Sequence, residues 1–149
     1  MKKRRIALLI AIVLTLAFIW GNSLLNREQS SDESAWVLQL VTPILELFVG
    51  KGRVTEHLVR KLAHFAEFAL LGFELLFWFS GVREKQKDVL LLEMSHGLFA
   101  ALTDETIQLF SARGSQVQDV WLDFAGATTG ALAALLITVL IRKKEIKHY

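Results

Sequence analysis

Ile6–Leu25 reads IALLIAIVLTLAFIWGNSLL, twenty residues without a charge, and this stretch decides the class of protein. A helix rises 1.5 Å per residue, so about 20 residues cross the hydrocarbon of a bilayer. Three further segments have that length with a few polar residues each: Leu62–Gly81, Val89–Phe110 and Val120–Ile141. Between the first and second lies Trp36–Gly50, too short to span and interrupted by Pro43. Its polar residues Gln39, Thr42 and Glu46 fall at i, i+3 and i+7, so they share one helical face. That pattern predicts a helix lying in the membrane interface, with a re-entrant segment as the alternative. The expected fold is an all-α polytopic membrane helix bundle in one domain over residues 1–149. It has four transmembrane helices plus an interfacial or re-entrant helix between the first and second.

Composition agrees. The 149 residues are 53% hydrophobic and 21% charged, with a mean hydropathy of +0.41, whereas soluble domains average about 45–50% apolar. One Pro, nine Gly and no Cys exclude a collagen-like chain, a disulfide scaffold, a thiol nucleophile and a thiolate zinc site. The distribution of charge sets orientation. Lys2, Lys3, Arg4 and Arg5 precede the first span; Arg83, Lys85 and Lys87 follow the second; Arg142, Lys143, Lys144 and Lys147 follow the fourth. These are eleven of the 17 Lys and Arg, all on one side of a four-span arrangement. The other side holds Arg27, Lys51, Arg53, Arg60, Lys61 and Arg113, diluted by acidic residues. The positive-inside rule then predicts both termini in the cytoplasm. The first span read as a cleaved signal peptide would exceed the ~7–15 apolar residues of such segments, so retention is expected. Because topology accounts for the basic residues, no nucleic-acid partner is expected.

Ionisable side chains at membrane depth usually face a bundle interior or a wet cavity and mark function. At 100° per residue, Arg53, Glu56, His57, Arg60, Lys61, His64, Glu67 and Glu74 form one stripe. Its outer part, Arg53 to Lys61, reads as a helix start among water and lipid headgroups. His64 and Glu67 lie three apart inside an apolar run and can touch. A His held by a carboxylate can serve as base, acid or metal ligand. The third span places His96, Gly97, Ala100, Asp104 and Gln108 on one half, with Glu93 beside them. Leu91, Leu98, Phe99, Leu102, Leu109 and Phe110 occupy the other half. Asp104 and Glu105 would repel if both were ionised, so one is expected to be protonated or paired with Lys61 or Arg113. His96 reads equally as a packing residue and as part of a polar pathway.

Asp119 and Asp123 open the fourth span at i, i+4, on the face of Gly126 and Gly130; a helix N-terminus by itself also favours carboxylates there. Gly126 and Gly130, continued by Ala133 and Ala134, form a small-residue face that predicts packing within the bundle more than oligomerisation. The candidate catalytic residues are thus His64, Glu67, Asp104 and Glu105. The candidate substrate-binding residues are Lys61, Gln108, Arg113, Asp119 and Asp123. No standard phosphatase motif or metal-ligand spacing is present, so neither a metal nor a cofactor is expected.

These residues carry a resemblance. Arg60-Lys61-Leu62-Ala63-His64-Phe65-Ala66-Glu67-Phe68, Asp104-Glu105-Thr106-Ile107-Gln108, Arg113-Gly114, Asp119-Val120 and Asp123 with Gly126 resemble, in order and spacing, the VanZ-like family. The resemblance runs from Trp20-Gly21-Asn22-Ser23 to Leu132. The family usually has Tyr where Phe68 stands, often Asn where Asp123 stands, and commonly Pro-Gly where Ser111-Ala112 stand. The resemblance implies a small polytopic bacterial membrane protein. The family's namesake is an accessory determinant of reduced glycopeptide susceptibility, especially to lipid-tailed teicoplanin, and most members lie outside resistance clusters.

Three functions follow as expectations, with membrane lipids as partners in each. The first is a non-catalytic envelope factor that alters access of glycopeptide or lipoglycopeptide antibiotics at the outer face. The second is a membrane-embedded hydrolase or transferase acting on a lipid or polyprenyl phosphate. In it His64 is base or nucleophile oriented by Glu67, Asp104 or Glu105 is a second carboxylate or metal ligand, and Lys61 and Arg113 hold phosphate. The third is a proton-coupled transporter or flippase using Glu67, Asp104 and His96, although the inverted repeat many such folds carry is not evident.

Overall fold

Apolar runs bounded by polar or glycine-containing turns divide the described residues into five helices. The computed structural model describes residues 2–25, 27–82, 85–111 and 115–146, with side chains described within 3–25, 37–82, 85–111 and 115–141. The helices are α1 (Lys2–Leu24), α2 (Arg27–Val49), α3 (Glu56–Ser80), α4 (Gln86–Phe110) and α5 (Val117–Ile146). Among the described residues, three stretches are long and apolar enough to cross a membrane: Lys3–Leu24, Glu56–Ser80 and Val117–Ile141. Val37–Val49 is a shorter apolar helix. α4 equals α3 in length, at 25 residues, but bears Glu93, Asp104 and Glu105. All three of these carboxylates are buried, while Leu91, Phe99, Leu102, Leu109 and Phe110 are exposed on its other side. α4 therefore turns charge inward and hydrocarbon outward.

The seam between α3 and α5 is backbone against backbone. A Cβ placed on Gly130 would sit 1.7 Å from the Ala69 carbonyl oxygen, and one on Gly72 would sit 1.9 Å from that of Ala127. Gly126 is nearly as close, with 2.5 Å to the Phe65 carbonyl oxygen. Lipid is as apolar as a leucine side chain, so helices in a bilayer associate through such close van der Waals contact and polar bonds. The small-residue face of α5 is thus spent on α3 within the chain. Ala131 and Ala134 continue it in the core, whereas Ala133 is exposed.

α2 departs from the sequence reading. Pro43 does not interrupt it: the helix is continuous from Arg27 to Val49. Proline removes one N–H and so one helical hydrogen bond. Here it lies on an exposed face, and the Thr42 hydroxyl donates to the Leu38 carbonyl at 2.6 Å one residue before it. Leu40, Ile44, Leu47 and Phe48 leave an exposed apolar stripe at i, i+4, i+7 and i+8. Gly50 (φ +92°) and Gly52 (φ +72°) then take left-handed conformations that side chains disfavour. The amide of Gly50 donates to the Glu46 carbonyl at 3.0 Å and that of Gly52 to Glu46 Oε1 at 2.8 Å. Three residues later Thr55 caps α3, its hydroxyl accepting from the Leu58 amide at 3.2 Å.

The long helices alternate in direction, so α1 and α4 finish where α3 and α5 begin. At that end the Ser111 hydroxyl donates to the Ser23 carbonyl at 2.7 Å, tying α4 to α1. At the opposite end Arg5 donates to the Gly81 carbonyl and holds its guanidinium 6.0 Å from the centre of the Trp78 ring. The ends are chemically unlike: one basic, one mixed in charge.

Candidate functional site

The mixed-charge end contains a cleft of about 210 Å³ lined by His57, Arg60, Lys61 and His64 of α3, Glu105 and Gln108 of α4, Gln116, and Asp119, Leu122 and Asp123 of α5. Three helix ends converge there because four antiparallel helices bring the start of α3 and α5 beside the finish of α4. His64 is eight residues into α3, Asp123 six into α5, and Asp104 six from the end of α4. At 1.5 Å per residue the group sits about 9–12 Å along each helix from its end. At that depth both aspartates are buried and the His64 side chain is 14% exposed.

His64 Nδ1 lies 3.6 Å from Asp104 Oδ2 and 3.8 Å from Asp123 Oδ1. The two aspartates have opposite surroundings. Asp104 is wholly buried and well supplied: Oδ1 accepts from the Ser23 hydroxyl at 2.6 Å and Oδ2 from Gln108 Nε2 at 2.8 Å. Asp123 is also wholly buried, but neither of its carboxylate oxygens has a hydrogen-bond partner among the described residues. Of the two carboxylates facing His64, one is therefore held by hydrogen bonds and the other has none among the described residues. His64, Asp104 and Asp123 each offer one ligand atom, and these three atoms lie within 4.8 Å of one another.

The charged rim is organised by ion pairs. Lys61 Nζ contacts Asp119 Oδ1 at 2.6 Å, and Arg60 contacts Glu56 Oε1 at 2.5 Å within α3; all four side chains are about a third exposed. Partial exposure leaves these pairs screened and exchangeable. Glu105 accepts the Gln116 amide at 3.0 Å through Oε2. It thereby satisfies one of the donors left free at the start of α5 and places negative charge at that helix's positive end.

Of the residues singled out from sequence, Lys61, His64, Glu105, Gln108, Asp119 and Asp123 line this one cleft, with Asp104 against His64. Glu67 is half-buried one turn further along α3 and does not line it. Arg113 lies outside the described residues. His57 and Arg60, read from sequence as part of a solvated helix start, also line the cleft, His57 exposed and Arg60 about a third exposed. Ser23 entered the sequence reading only as the end of the Trp20–Ser23 stretch that opens the family resemblance and was not singled out as a site residue, yet it donates to Asp104 from 81 residues away. His96 lies on the exposed side of α4, its Nδ1 at 2.7 Å from the Leu92 carbonyl and its ring 4.9 Å from that of Phe79. That is local packing on α4 and α3, apart from the cleft.

Comparison with known proteins returns no curated relative and no solved structure that matches. The family model described as VanZ/LLP1 matches residues 7–139, a stretch that includes every residue lining the cleft, and the chain belongs to that family.

Proposed function

We propose that the protein crosses a bacterial cytoplasmic membrane four times with both termini in the cytoplasm, and that its cleft binds and acts on a phosphorylated lipid from the outer leaflet. Burial of Glu93, Asp104 and Glu105 within the bundle supports α4 as the fourth crossing, since its remaining surface is apolar. The exposed stripe of α2 suits a helix lying in the headgroup region. The clustering of basic side chains at the end opposite the cleft supports the orientation. With no native cysteine, single cysteines are clean reporters. A cysteine at Lys3 is expected to label only from the cytoplasmic side, and one at Lys51 only from outside. Labelling of both from one side overturns the topology.

One observation carries the chemical reading: a histidine between two buried aspartates opens onto a cleft whose rim holds Arg60 and Lys61. The cations suit a phosphate through charge-assisted hydrogen bonds. His64, held between carboxylates, suits general-base or nucleophilic work at the phosphorus. A polyprenyl or glycerolipid phosphate would lay its chain along the apolar bundle surface with its headgroup in the cleft. Purified protein in lipid nanodiscs, assayed for turnover of polyprenyl phosphates and diphosphates, tests this. Turnover is expected in the wild type and is lost in His64→Ala; equal turnover by the variant overturns the His64 mechanism.

The family match favours a second reading, a non-catalytic envelope factor that lowers susceptibility to glycopeptide antibiotics. Deletion and overexpression strains compared for teicoplanin and vancomycin susceptibility are expected to differ under it. Unchanged values in both strains count against it.

A further inference from the structure

We propose that His64, Asp104 and Asp123 form the binding site of one divalent transition-metal ion of the Mn²⁺ or Zn²⁺ class. The first support is the ligand set itself: one imidazole nitrogen and two carboxylates from three different helices, with ligand atoms within 4.8 Å of one another. Ligands about 2.1 Å from a common ion are about 3.4 Å apart in a tetrahedral site. The observed 3.6 and 3.8 Å separations of His64 from the two aspartates are within a few tenths of that. The second and independent support is Asp123. A buried carboxylate with both oxygens lacking a hydrogen bond among the described residues is a costly arrangement, and a cation facing it removes that cost.

Asp104 adds the expected supporting layer. Metal-binding carboxylates are themselves held by hydrogen bonds from behind, and Ser23 and Gln108 hold Asp104 in this way. The nitrogen ligand decides the class of ion. Mg²⁺ and Ca²⁺ prefer all-oxygen sites, whereas an imidazole among carboxylates suits Mn²⁺ or Zn²⁺. Two aspartates neutralise one such ion and leave coordination positions open toward the cleft. The inference rests on the reading of the cleft as a phosphate site but gives His64 a different part in it: an imidazole whose lone pair holds the ion orients that ion and is not itself the base or nucleophile. Without a cation, an entering phosphate would meet Asp104 and Asp123 as like charges; with one, it meets a Lewis acid flanked by Arg60 and Lys61.

Full-length protein in detergent, stripped with a chelator and titrated calorimetrically with MnCl₂, ZnCl₂ and MgCl₂, tests the site. One Mn²⁺ or Zn²⁺ per chain is expected, with Mg²⁺ weaker. Asp123→Asn is expected to weaken binding by more than about 100-fold, and Ser23→Ala by about 10–100-fold. Glu93→Gln, which alters a buried carboxylate outside the cleft, should bind as the wild type does. Should Asp123→Asn fail to fold, electron spin-echo spectra of the Mn²⁺-loaded wild type decide: they should carry the coupling of one imidazole nitrogen, absent in His64→Gln. No saturable binding of any of the three cations overturns the proposal. So does bound Mn²⁺ without nitrogen coupling, or unchanged affinity in a folded Asp123→Asn. The phosphate reading fails separately: metal binding with no lipid-phosphate turnover overturns that reading alone. Turnover undiminished by chelator overturns the metal site alone.

Discussion

The same two helices, α3 and α5, meet in two unlike ways. Along Gly72, Gly126 and Gly130 they touch backbone to backbone, dry and without room for a methyl group. One turn beyond Gly126, at Asp123 and His64, they enclose buried ionisable groups and border a cleft of about 210 Å³. The contrast teaches that the glycine seam is what aims the polar groups. Gly126 rests on the carbonyl of Phe65, the residue after His64, so the close approach sets the distance at which Asp123 faces that histidine.

The sharpest way to break this comparison is to force the seam apart. Gly130→Leu would drive a side chain into the Ala69 backbone, and a loss of about 3 kcal/mol is expected. Thermal unfolding in detergent measures it. A variant as stable as the wild type would show that the two helices are not held at this distance. Next comes the locked aspartate. Asp104→Ala strands the partners Ser23 and Gln108 in a buried site and should lose about 2 kcal/mol by the same measurement.

The open aspartate should respond with the opposite sign. In chelator, Asp123→Asn exchanges a buried carboxylate without hydrogen bonds for a neutral amide, so stability should rise, by about 1 kcal/mol. A marked loss would mean that Asp123 is already paid for by a partner in the metal-free fold. The smallest effect belongs to the rim. Lys61→Met breaks a partly exposed pair with Asp119 and should cost less than about 1 kcal/mol. Its expected consequence lies in phosphate affinity, measured by a weaker apparent KM for the lipid substrate. If stability falls by several kcal/mol instead, the rim is part of the packed core.

Much of the bundle was legible in the chain. A lipid environment admits only segments that satisfy their own backbone hydrogen bonds, so length and apolar composition nearly suffice to find α1, α3 and α5. The small residues of α5 likewise announced a close contact, and that contact is made with α3. Pro43 misled because the rule about helix interiors depends on where the ring falls; on an exposed face a helix tolerates it. His57 and Arg60 show a related point: a polar side chain near a helix start looks the same in sequence whether it meets water alone or also borders a cleft, as these two do.

The sequence by itself determined the long apolar helices, the basic and mixed ends and most of the residues available for chemistry, because each follows from local composition and period. Only the tertiary structure decided which of those residues meet. Ser23 and Asp104 are joined across 81 residues, and His64 of α3 faces Asp104 of α4 and Asp123 of α5. Helical period places side chains on a face, but the rotation of one helix against another is set by packing. Here that packing rests on three glycines whose missing side chains let α3 and α5 close.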